Sequence, residues 1–232
     1  MSKPRIDVII PAYNEAASIA NVLADLPKEL VREILVCNNA SKDNTSGIAK
    51  ENGATVLEQP RKGYGSACLK GIEYLKNKAF EDQPDIVVFL DGDYSDHPEE
   101  LGKLIRPIVE ENVDMVIGSR ALGDMEKGAM QPQQIFGNWL ATTLIKLFYG
   151  YEFTDLGPFR AIRFDKLLEI EMEDPDFGWT VEMQVKAAKY QLKCTEVPVS
   201  YRRRIGISKV SGTVKGTFLA GHKILWTIFK LL

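Results

Sequence analysis

The sequence is poor in cysteine and histidine, and it has no apolar run of membrane-spanning length. Its three cysteines, Cys37, Cys68 and Cys194, are odd in number and lie far apart. This excludes a disulfide framework and fits no metal-binding spacing, so we interpret them as reduced core residues of a cytoplasmic protein. No apolar segment reaches the roughly 18 residues that a transmembrane helix needs. With two histidines, and no acidic residue near His222, the chain offers no Ser-His-Asp triad.

Acidic residues are missing from the C-terminal segment Tyr201 to Leu232, which contains seven Lys or Arg. The chain of 232 residues is 45% hydrophobic and 26% charged, and its net charge of −3 does not indicate a nucleic-acid partner. The local asymmetry predicts either an anionic ligand or surface at this end, or a solvated basic face. The first residues, MSKPRIDVII, lead directly into a strand, so no signal peptide is expected.

Short apolar runs alternate with amphipathic segments over the first 120 residues. The runs predict strands at residues 6–10, 33–37, 54–57, 85–90 and 113–117. Helices are predicted between them, at residues 45–52, 65–77 and 98–112 and in a first helix capped by Asn14. Because the strands are apolar throughout, both faces of the sheet must be covered. This pattern is typical of an α/β fold with a mostly parallel sheet.

The second part of the chain has a different character. Residues 122–134 predict a loop, and residues 135–149 form a wide apolar helical arc. A further helix is predicted at residues 179–190, then a strand with the sequence CTEVPVSY, and a last helix at residues 212–232. That last helix can pack on the protein core or lie on a membrane surface with its basic residues at lipid headgroups.

Two aspartates end the strand in the segment IVVFLDGDYSDHPEEL. Asp-Gly also occurs in hairpin turns, but the residues that follow predict a helix and no returning strand. Asp91 and Asp93 are two positions apart and point the same way in an extended chain. A divalent cation, Mg²⁺ or Mn²⁺, binds one or two carboxylates together with phosphate oxygens and water. The pair therefore predicts a cation site that also takes a diphosphate.

Six motifs, in order, resemble those of family 2 glycosyltransferases. They are PAYNEAASI, NNASKDNT, RKGYGSA, the DxD pair with DHPEEL, GSR and DLGPFRAIR. The later EVPVSYRRRIGISK is similar to the branch of dolichol- and polyprenyl-phosphate sugar synthases. The resemblance implies a GT-A fold, a Rossmann-like α/β domain. It also implies inverting transfer from a nucleotide diphosphate sugar, with Mg²⁺ or Mn²⁺, to a lipid-phosphate acceptor.

The resemblance implies one glycosyltransferase domain over residues 1–232. Residues 1–120 would form the nucleotide-sugar-binding half, and residues 121–232 the acceptor-side half with its C-terminal amphipathic helix. The expected location is the cytoplasm, at the inner face of the membrane if the helix binds lipid. The oligomeric state is not predicted.

The resemblance also assigns residues. Asp91 and Asp93 are expected to hold the metal, and Asp155 and Glu182 are the expected catalytic residues. The residues predicted to bind the nucleotide sugar are Pro11, Ala12, Asn14, Glu15, Asn38, Asn39, Lys62, Asp91, Arg120, Arg203 and Lys209. Arg203 is one of three adjacent arginines, so the choice within residues 202–204 stays open. Gly63 and Gly65 precede a helix and can place backbone N–H groups near phosphates.

Asn38 and Asn39 stand where many members of the family have two aspartates. An amide presents a donor beside an acceptor and can pair with the imide edge of uracil, which favours a UDP-sugar. The alternative is a turn that prefers asparagine.

The sequence bears on three other functions. A soluble hydroxyl acceptor would require Asp155 or Glu182 to remove a proton, whereas a phosphate acceptor is already largely ionised. A sugar nucleotidyltransferase would carry a glycine-rich basic loop where this chain has PAYNEAAS, which argues against it. The intact acidic and basic positions argue against a non-catalytic binding module.

Overall fold

The computed structural model describes residues 3–206 and 214–232, and in the last helix the side chains from Gly221 onward. Within these residues the chain forms seven strands and eight α-helices. The strands are β1 (Ile6–Ala12), β2 (Glu33–Asn38), β3 (Thr55–Glu58), β4 (Ile86–Phe89), β5 (Met115–Ser119), β6 (Arg160–Arg163) and β7 (Cys194–Pro198). The helices are α1 (Ile19–Asp25), α2 (Thr45–Glu51), α3 (Tyr64–Lys76), α4 (Leu101–Glu111), α5 (Pro132–Tyr149), α6 (Phe164–Glu169), α7 (Trp179–Lys189) and α8 (Val214–Lys230).

All seven strands belong to one sheet with the order β3-β2-β1-β4-β6-β5-β7. β1 pairs in parallel with β2 and β4, β2 with β3, and β5 with β7. β6 lies between β4 and β5 and runs antiparallel to both. The predicted α/β fold with a mostly parallel sheet is therefore confirmed.

β6 is the strand that the sequence pattern did not predict. Its sequence is RAIR, so a charged residue stands at each end of an apolar run too short to be recognised. Arg160 is nonetheless fully buried, because its guanidinium donates to the carbonyl oxygens of Gly157, Leu156 and Thr180. Burial lowers the pKa of this guanidinium to about 10. Backbone carbonyl groups, rather than a carboxylate, therefore hold the Arg160 side chain at the start of β6.

The strands carry apolar side chains to both faces of the sheet, as the continuous apolar runs predicted. Ile9 and Phe89 face a core formed with α3, α5, α6, α7 and α8. Their sequence neighbours Val8 and Val88 face a second core formed with α1, α2 and α4. Side chains alternate along a strand, so a strand between two helical layers must be apolar at every position.

Two predicted boundaries are wrong. Asn14 does not cap a helix, because α1 begins at Ile19. Asn14 instead has a φ of 55°, and its Oδ1 accepts a hydrogen bond from the Lys42 N–H at 2.7 Å, which joins the loops after β1 and β2. The loop predicted at residues 122–134 ends earlier, since α5 begins at Pro132 with a capping box made by Gln131 and Gln134. Among the described residues, none of the helices is long and apolar enough to cross a membrane.

Candidate active site

A pocket of about 300 Å³ lies at the carboxyl ends of β1, β2 and β4. This is the edge where open α/β sheets bind ligands. Seven of the residues predicted to bind the donor or the metal line it, namely Pro11, Ala12, Glu15, Asn39, Lys62, Asp91 and Asp93. The remaining lining residues are Tyr13, Gly63, Tyr64, Ala67, Gly92, Phe177 and Arg204.

A second pocket of about 320 Å³ opens between α5 and α8. It is lined by Gln133, Gln134, Gly137 and Asn138 of α5 and by Gly221 and Ile224 of α8. Arg120 also lines it. The two pockets share five residues, Tyr64, Asp91, Asp93, Phe177 and Arg204. The carboxylate pair therefore lies where two binding spaces meet, as a reaction between two substrates requires.

Asp91 and Asp93 are each held in place by a hydroxyl group. The Tyr64 hydroxyl donates to Asp91 Oδ1 at 2.9 Å. The Ser95 hydroxyl and backbone N–H donate to Asp93 Oδ1 at 2.6 and 2.9 Å. Hydrogen bonds to an ionised carboxylate are strong and short, so both side chains are orientated before any ligand binds.

The site concentrates negative charge in a poorly hydrated place. Burial, and then the neighbouring Asp93, raise the pKa of Asp91 to about 7. Asp96 is 1% exposed, and no side chain among the described residues forms a hydrogen bond to its carboxylate. Burial, then Asp91 and Asp93, raise the pKa of Asp96 well above its usual range. A cation beside these groups would relieve their mutual repulsion.

The residues at this point fit a divalent cation bound together with a diphosphate. Among the described residues, no cluster of three or more His, Cys, Asp or Glu side chains is arranged to hold a metal ion alone. Asp91 and Asp93 nevertheless offer two oxygen-donor side chains that line the pocket. Mg²⁺ is commonly held by one or two carboxylates, with substrate phosphates and water completing its shell.

Arg204, not Arg203, is the arginine that reaches the carboxylates. Its guanidinium lies 3.1 Å from Asp93 Oδ2 and 3.2 Å from Glu15 Oε1. The Arg203 side chain is 63% exposed and pairs with Glu126, outside both pockets. The structure thus brings Arg204 of the triplet to the pocket, and a role of Arg203 in binding the nucleotide sugar stays a prediction. Lys209, predicted beside the diphosphate, lies outside the described residues.

Asp155 is buried and binds Arg120, which lines the second pocket. Its Oδ2 accepts hydrogen bonds from the Arg120 N–H and Nε at 2.8 and 2.7 Å, and its Oδ1 accepts from Nη2 at 2.7 Å. Burial works to lower the pKa of Arg120, but the Asp155 carboxylate outweighs it and raises that pKa. The guanidinium also stacks 4.9 Å from the Tyr201 ring centroid. Asp155 thus orientates the Arg120 guanidinium, which lines the second pocket. The assignment of Asp155 as a base stays a prediction.

Glu182 does not line either pocket. It is 3% exposed, and its carboxylate accepts hydrogen bonds from the backbone N–H groups of Glu173 and Asp174 at 3.0 and 2.8 Å. It also pairs with Lys186 at 2.9 Å. Its contacts support the segment of residues 173–177, which we call the strap, and its catalytic assignment stays a prediction.

The strap covers the N-terminus of α3. The N–H groups of Gly65 and Ser66 are therefore not free to bind the phosphate that the two glycines suggested. Gly65 N–H donates to Asp176 O at 3.2 Å, and Ser66 N–H donates to Pro175 O at 2.7 Å. A Cβ on Gly63 would lie 2.2 Å from Pro175 O, and one on Gly65 would lie 1.9 Å from Asp174 O. These glycines allow close packing of the strap.

Asn38 and Asn39 bind the protein itself. Asn38 lies outside both pockets, and its Nδ2 donates to Glu58 at 2.7 Å. Asn39 lines the first pocket, but its Oδ1 accepts from Gly63 N–H at 2.8 Å and its Nδ2 donates to Arg61 O at 2.7 Å. Asn39 therefore fixes the loop that carries Lys62, whereas Asn38 binds Glu58 of β3 and the Ser41 N–H. Both amides are engaged within the protein, and their pairing with uracil stays a prediction.

Sequence reasoning did not single out Tyr64 or Phe177, which line both pockets. Tyr64 stands between two glycines at a helix start, and Phe177 follows an acidic, proline-containing loop. Aromatic residues beside glycine or proline can line a ligand pocket, but they are equally common in protein cores.

The family model described as glycosyl transferase family 2 matches residues 7–170, and the chain belongs to that family. It is 33% identical over 198 residues to glycosyltransferase AglJ of Haloferax volcanii, covering 85% of this chain and 63% of that protein. It is 30% identical over 220 residues, 86% of each chain, to the UDP-N-acetylglucosamine–dolichyl-phosphate N-acetylglucosaminyltransferase of Methanococcus voltae. The predicted resemblance to the polyprenyl-phosphate branch is confirmed.

A solved structure with the same fold is glucosyl-3-phosphoglycerate synthase from Mycobacterium tuberculosis, in complex with Mn²⁺, UDP-glucose and phosphoglyceric acid. The TM-score is 0.77 at 21% identity, and the match covers 98% of this chain and 79% of that one. The predicted GT-A fold is therefore confirmed.

We predict that Arg204→Gln weakens binding of UDP in the presence of chelator, while Arg203→Gln does not. Arg204 faces the pocket, and a charge-assisted hydrogen bond contributes about 1.5–3 kcal/mol, so the dissociation constant should rise roughly tenfold or more. Isothermal titration of both variants measures this. Equal weakening by the two substitutions would contradict the geometry.

The raised pKa of Asp91 predicts a pH dependence of stability. A carboxyl whose pKa is higher in the folded state than its ordinary value of 3.8 stabilises the fold when protonated. Its contribution is complete below the unfolded pKa and is lost as the pH rises through about 7. In chelator, the free energy of unfolding should therefore fall between about pH 4 and about pH 7. Asp91→Asn should reduce this slope, whereas Asp124→Asn, at an exposed site, should not; denaturant titrations at several pH values decide.

Proposed function

We propose that this protein transfers a sugar, with inversion, from a UDP-sugar to a lipid-linked phosphate, using Mg²⁺ or Mn²⁺. The observation that carries the proposal is the meeting of two pockets at Asp91 and Asp93, one beneath the PAYNE loop and one between α5 and α8. The first would hold the donor, and the second the acceptor. On this reading residues 1–120 supply most of the donor side and residues 121–232 most of the acceptor side.

The donor would lie along the ends of β1 and β4. Pro11, Ala12 and Lys62 would contact the nucleoside, and Arg204 the diphosphate. Asp91 and Asp93 would hold the cation, whose chemistry is to neutralise the diphosphate as it leaves. The choice of UDP draws on the UDP-sugar named for the Methanococcus voltae relative and on the UDP-glucose bound in the Mycobacterium tuberculosis structure. Asn38 and Asn39 do not carry this choice, because their side chains bind other parts of the protein.

The acceptor phosphate would enter between α5 and α8 and meet Arg120. A phosphate oxygen forms a bond to the anomeric carbon while the bond from that carbon to the diphosphate oxygen breaks, and its electron pair leaves with UDP. A phosphate monoester has a second pKa near ~6, so it needs no strong base at neutral pH. We propose that Asp155 acts through Arg120, which it orientates, and that Glu182 acts through the strap.

The second pocket adjoins a large exposed apolar surface, which we call the aromatic face. On α5 the residues at 135, 136, 139 and 147 fall on one side of the helix. Phe148 of α5 meets Phe229 of α8 with ring centroids 5.5 Å apart, so the two helices share one surface. Its exposed members are Ile135, Phe136, Trp139, Leu147, Phe148, Trp226, Phe229 and Leu232.

A lipid surface is the occupant that we propose for the aromatic face. Tryptophan and phenylalanine beside lysines are typical of helices that lie in the membrane interface. Lys230 is exposed at the end of α8, and residues 201–232 contain no acidic side chain that would repel anionic headgroups. This placement would bring the mouth of the second pocket to the bilayer, where a polyprenyl phosphate resides, at the inner face of the membrane.

The first test is release of UDP from UDP-sugars, with GDP-sugars for comparison. We expect release to require both polyprenyl phosphate and a divalent cation. Asp93→Asn should lower turnover by at least roughly a hundredfold, because a bound cation contributes several kcal/mol to the transition state.

Asp124→Asn, at an exposed aspartate, should leave turnover unchanged. Full activity in excess chelator would contradict the cation site, and better use of GDP-sugars would contradict the choice of UDP. A water-soluble acceptor that replaces polyprenyl phosphate would support transfer to a hydroxyl group instead.

The second test is sedimentation with liposomes that contain anionic lipid, at low salt. Phe136 is 60% and Trp139 57% exposed on α5. Replacing both with serine should weaken binding at least about tenfold, because each buried aromatic contributes about 1.5–3 kcal/mol. Phe80→Ser is the matched control, since Phe80 is 86% exposed away from α5 and α8. A wild-type protein that stays in solution, while a soluble acceptor supports turnover, would refute the lipid proposal.

A further inference from the structure

The strap, residues 173–177, belongs to no helix or strand and contributes one residue, Phe177, to the wall of the first pocket. Phe177 at its end lines both pockets. Its start is anchored by Glu182, which accepts hydrogen bonds from Glu173 N–H and Asp174 N–H at 3.0 and 2.8 Å. The position of this wall therefore depends on the contacts that the strap makes elsewhere.

One side of the strap rests on the N-terminus of α3. Pro175 O accepts a hydrogen bond from Ser66 N–H at 2.7 Å, and the close approach is possible only because Gly63 and Gly65 lack a Cβ. Tyr64 lies between those two glycines and donates its hydroxyl hydrogen bond to Asp91 at 2.9 Å. The strap thus packs against the backbone on both sides of Tyr64, the residue that orientates a predicted metal ligand.

The other side of the strap is tied to α8. The Lys223 ammonium lies 2.9 Å from Asp174 Oδ2, and the Asp174 side chain is only 8% exposed. Asp174 Oδ1 accepts a hydrogen bond from Asp176 N–H at 2.8 Å. Gly178 sits so close that a Cβ there would lie 2.5 Å from both Asp174 Oδ2 and Thr227 Oγ1 of α8. A nearly buried carboxylate is thus shared between the donor-pocket wall and the helix on the acceptor side.

We propose that Lys223 and Asp174 are positioning residues that make donor binding depend on the seating of α8. When α8 is in place, Lys223 holds the strap against α3 and keeps Tyr64 and Phe177 in the shape that receives the nucleotide. When the pair is broken, the Asp174 carboxylate is left without its cation and the wall loosens. This inference rests on the proposed use of a nucleotide donor, and it adds a link from the acceptor side to the donor side.

The test is titration of UDP with Mn²⁺ into Lys223→Gln, Asp174→Asn and the double variant. Each single substitution should raise the dissociation constant about five- to tenfold, and the double variant no further, because contacting residues are not additive. Lys223→Arg keeps the charge and should stay within about twofold of wild type. Lys230→Gln is the matched control, since it removes an exposed lysine from the same helix away from the strap.

Hydrogen exchange separates positioning from mere stability. In Lys223→Gln the amides of Gly65 and Ser66, which donate to the strap, should exchange faster than in Lys230→Gln. A variant that melts at a lower temperature but keeps the wild-type dissociation constant and the same exchange at these amides would overturn the inference. If the wild-type protein itself binds no UDP with Mn²⁺, the proposed donor site fails instead.

Discussion

Repulsion among buried carboxylates is the constraint on which the arrangement of this site depends. Glu15, Asp93 and Asp96 are each less than a tenth exposed, and Asp91 lies among them at the end of β4. Water screens such charges poorly at this depth, so positive charge must be supplied. Arg204 supplies part of it by bridging Glu15 and Asp93. Burial and the remaining repulsion raise the pKa of Asp91, and the proposed cation with its diphosphate would offset both.

Around the second pocket, several buried polar residues hold their neighbours in place. Asp155 grips Arg120 with two oxygens, and Gln184 donates to the Asp155 carbonyl at 2.8 Å. Arg160 gathers backbone carbonyls of the preceding turn, including that of Gly157. Within the motif DLGPFRAIR, Asp155 therefore holds the Arg120 guanidinium that lines the second pocket, and Arg160 holds the turn that follows Asp155. Removing either member of a buried ion pair is costly, because the other is left without a partner.

The glycine-rich start of α3 illustrates how one local pattern serves two purposes. A helix N-terminus preceded by glycines is a common phosphate site. Here the N–H groups of Gly65 and Ser66 are satisfied by carbonyl oxygens of the strap. The same glycines that would admit a phosphate admit a second backbone segment. Only the partner, which lies more than 100 residues away in the chain, distinguishes the two cases.

The sequence by itself determined the α/β class, the parallel strands and the family, because apolar runs and loop motifs are local patterns. It also determined the edge of the sheet where the site lies, since strand ends of parallel strands converge. The tertiary structure alone decided that β6 runs antiparallel and that Arg204, not Arg203, reaches the pocket. It also decided that the side chains of Asn39, Asp155 and Glu182 form hydrogen bonds within the protein. Each of these depends on which side chain or carbonyl arrives from a distant segment to satisfy a buried polar group, and no local pattern contains that information.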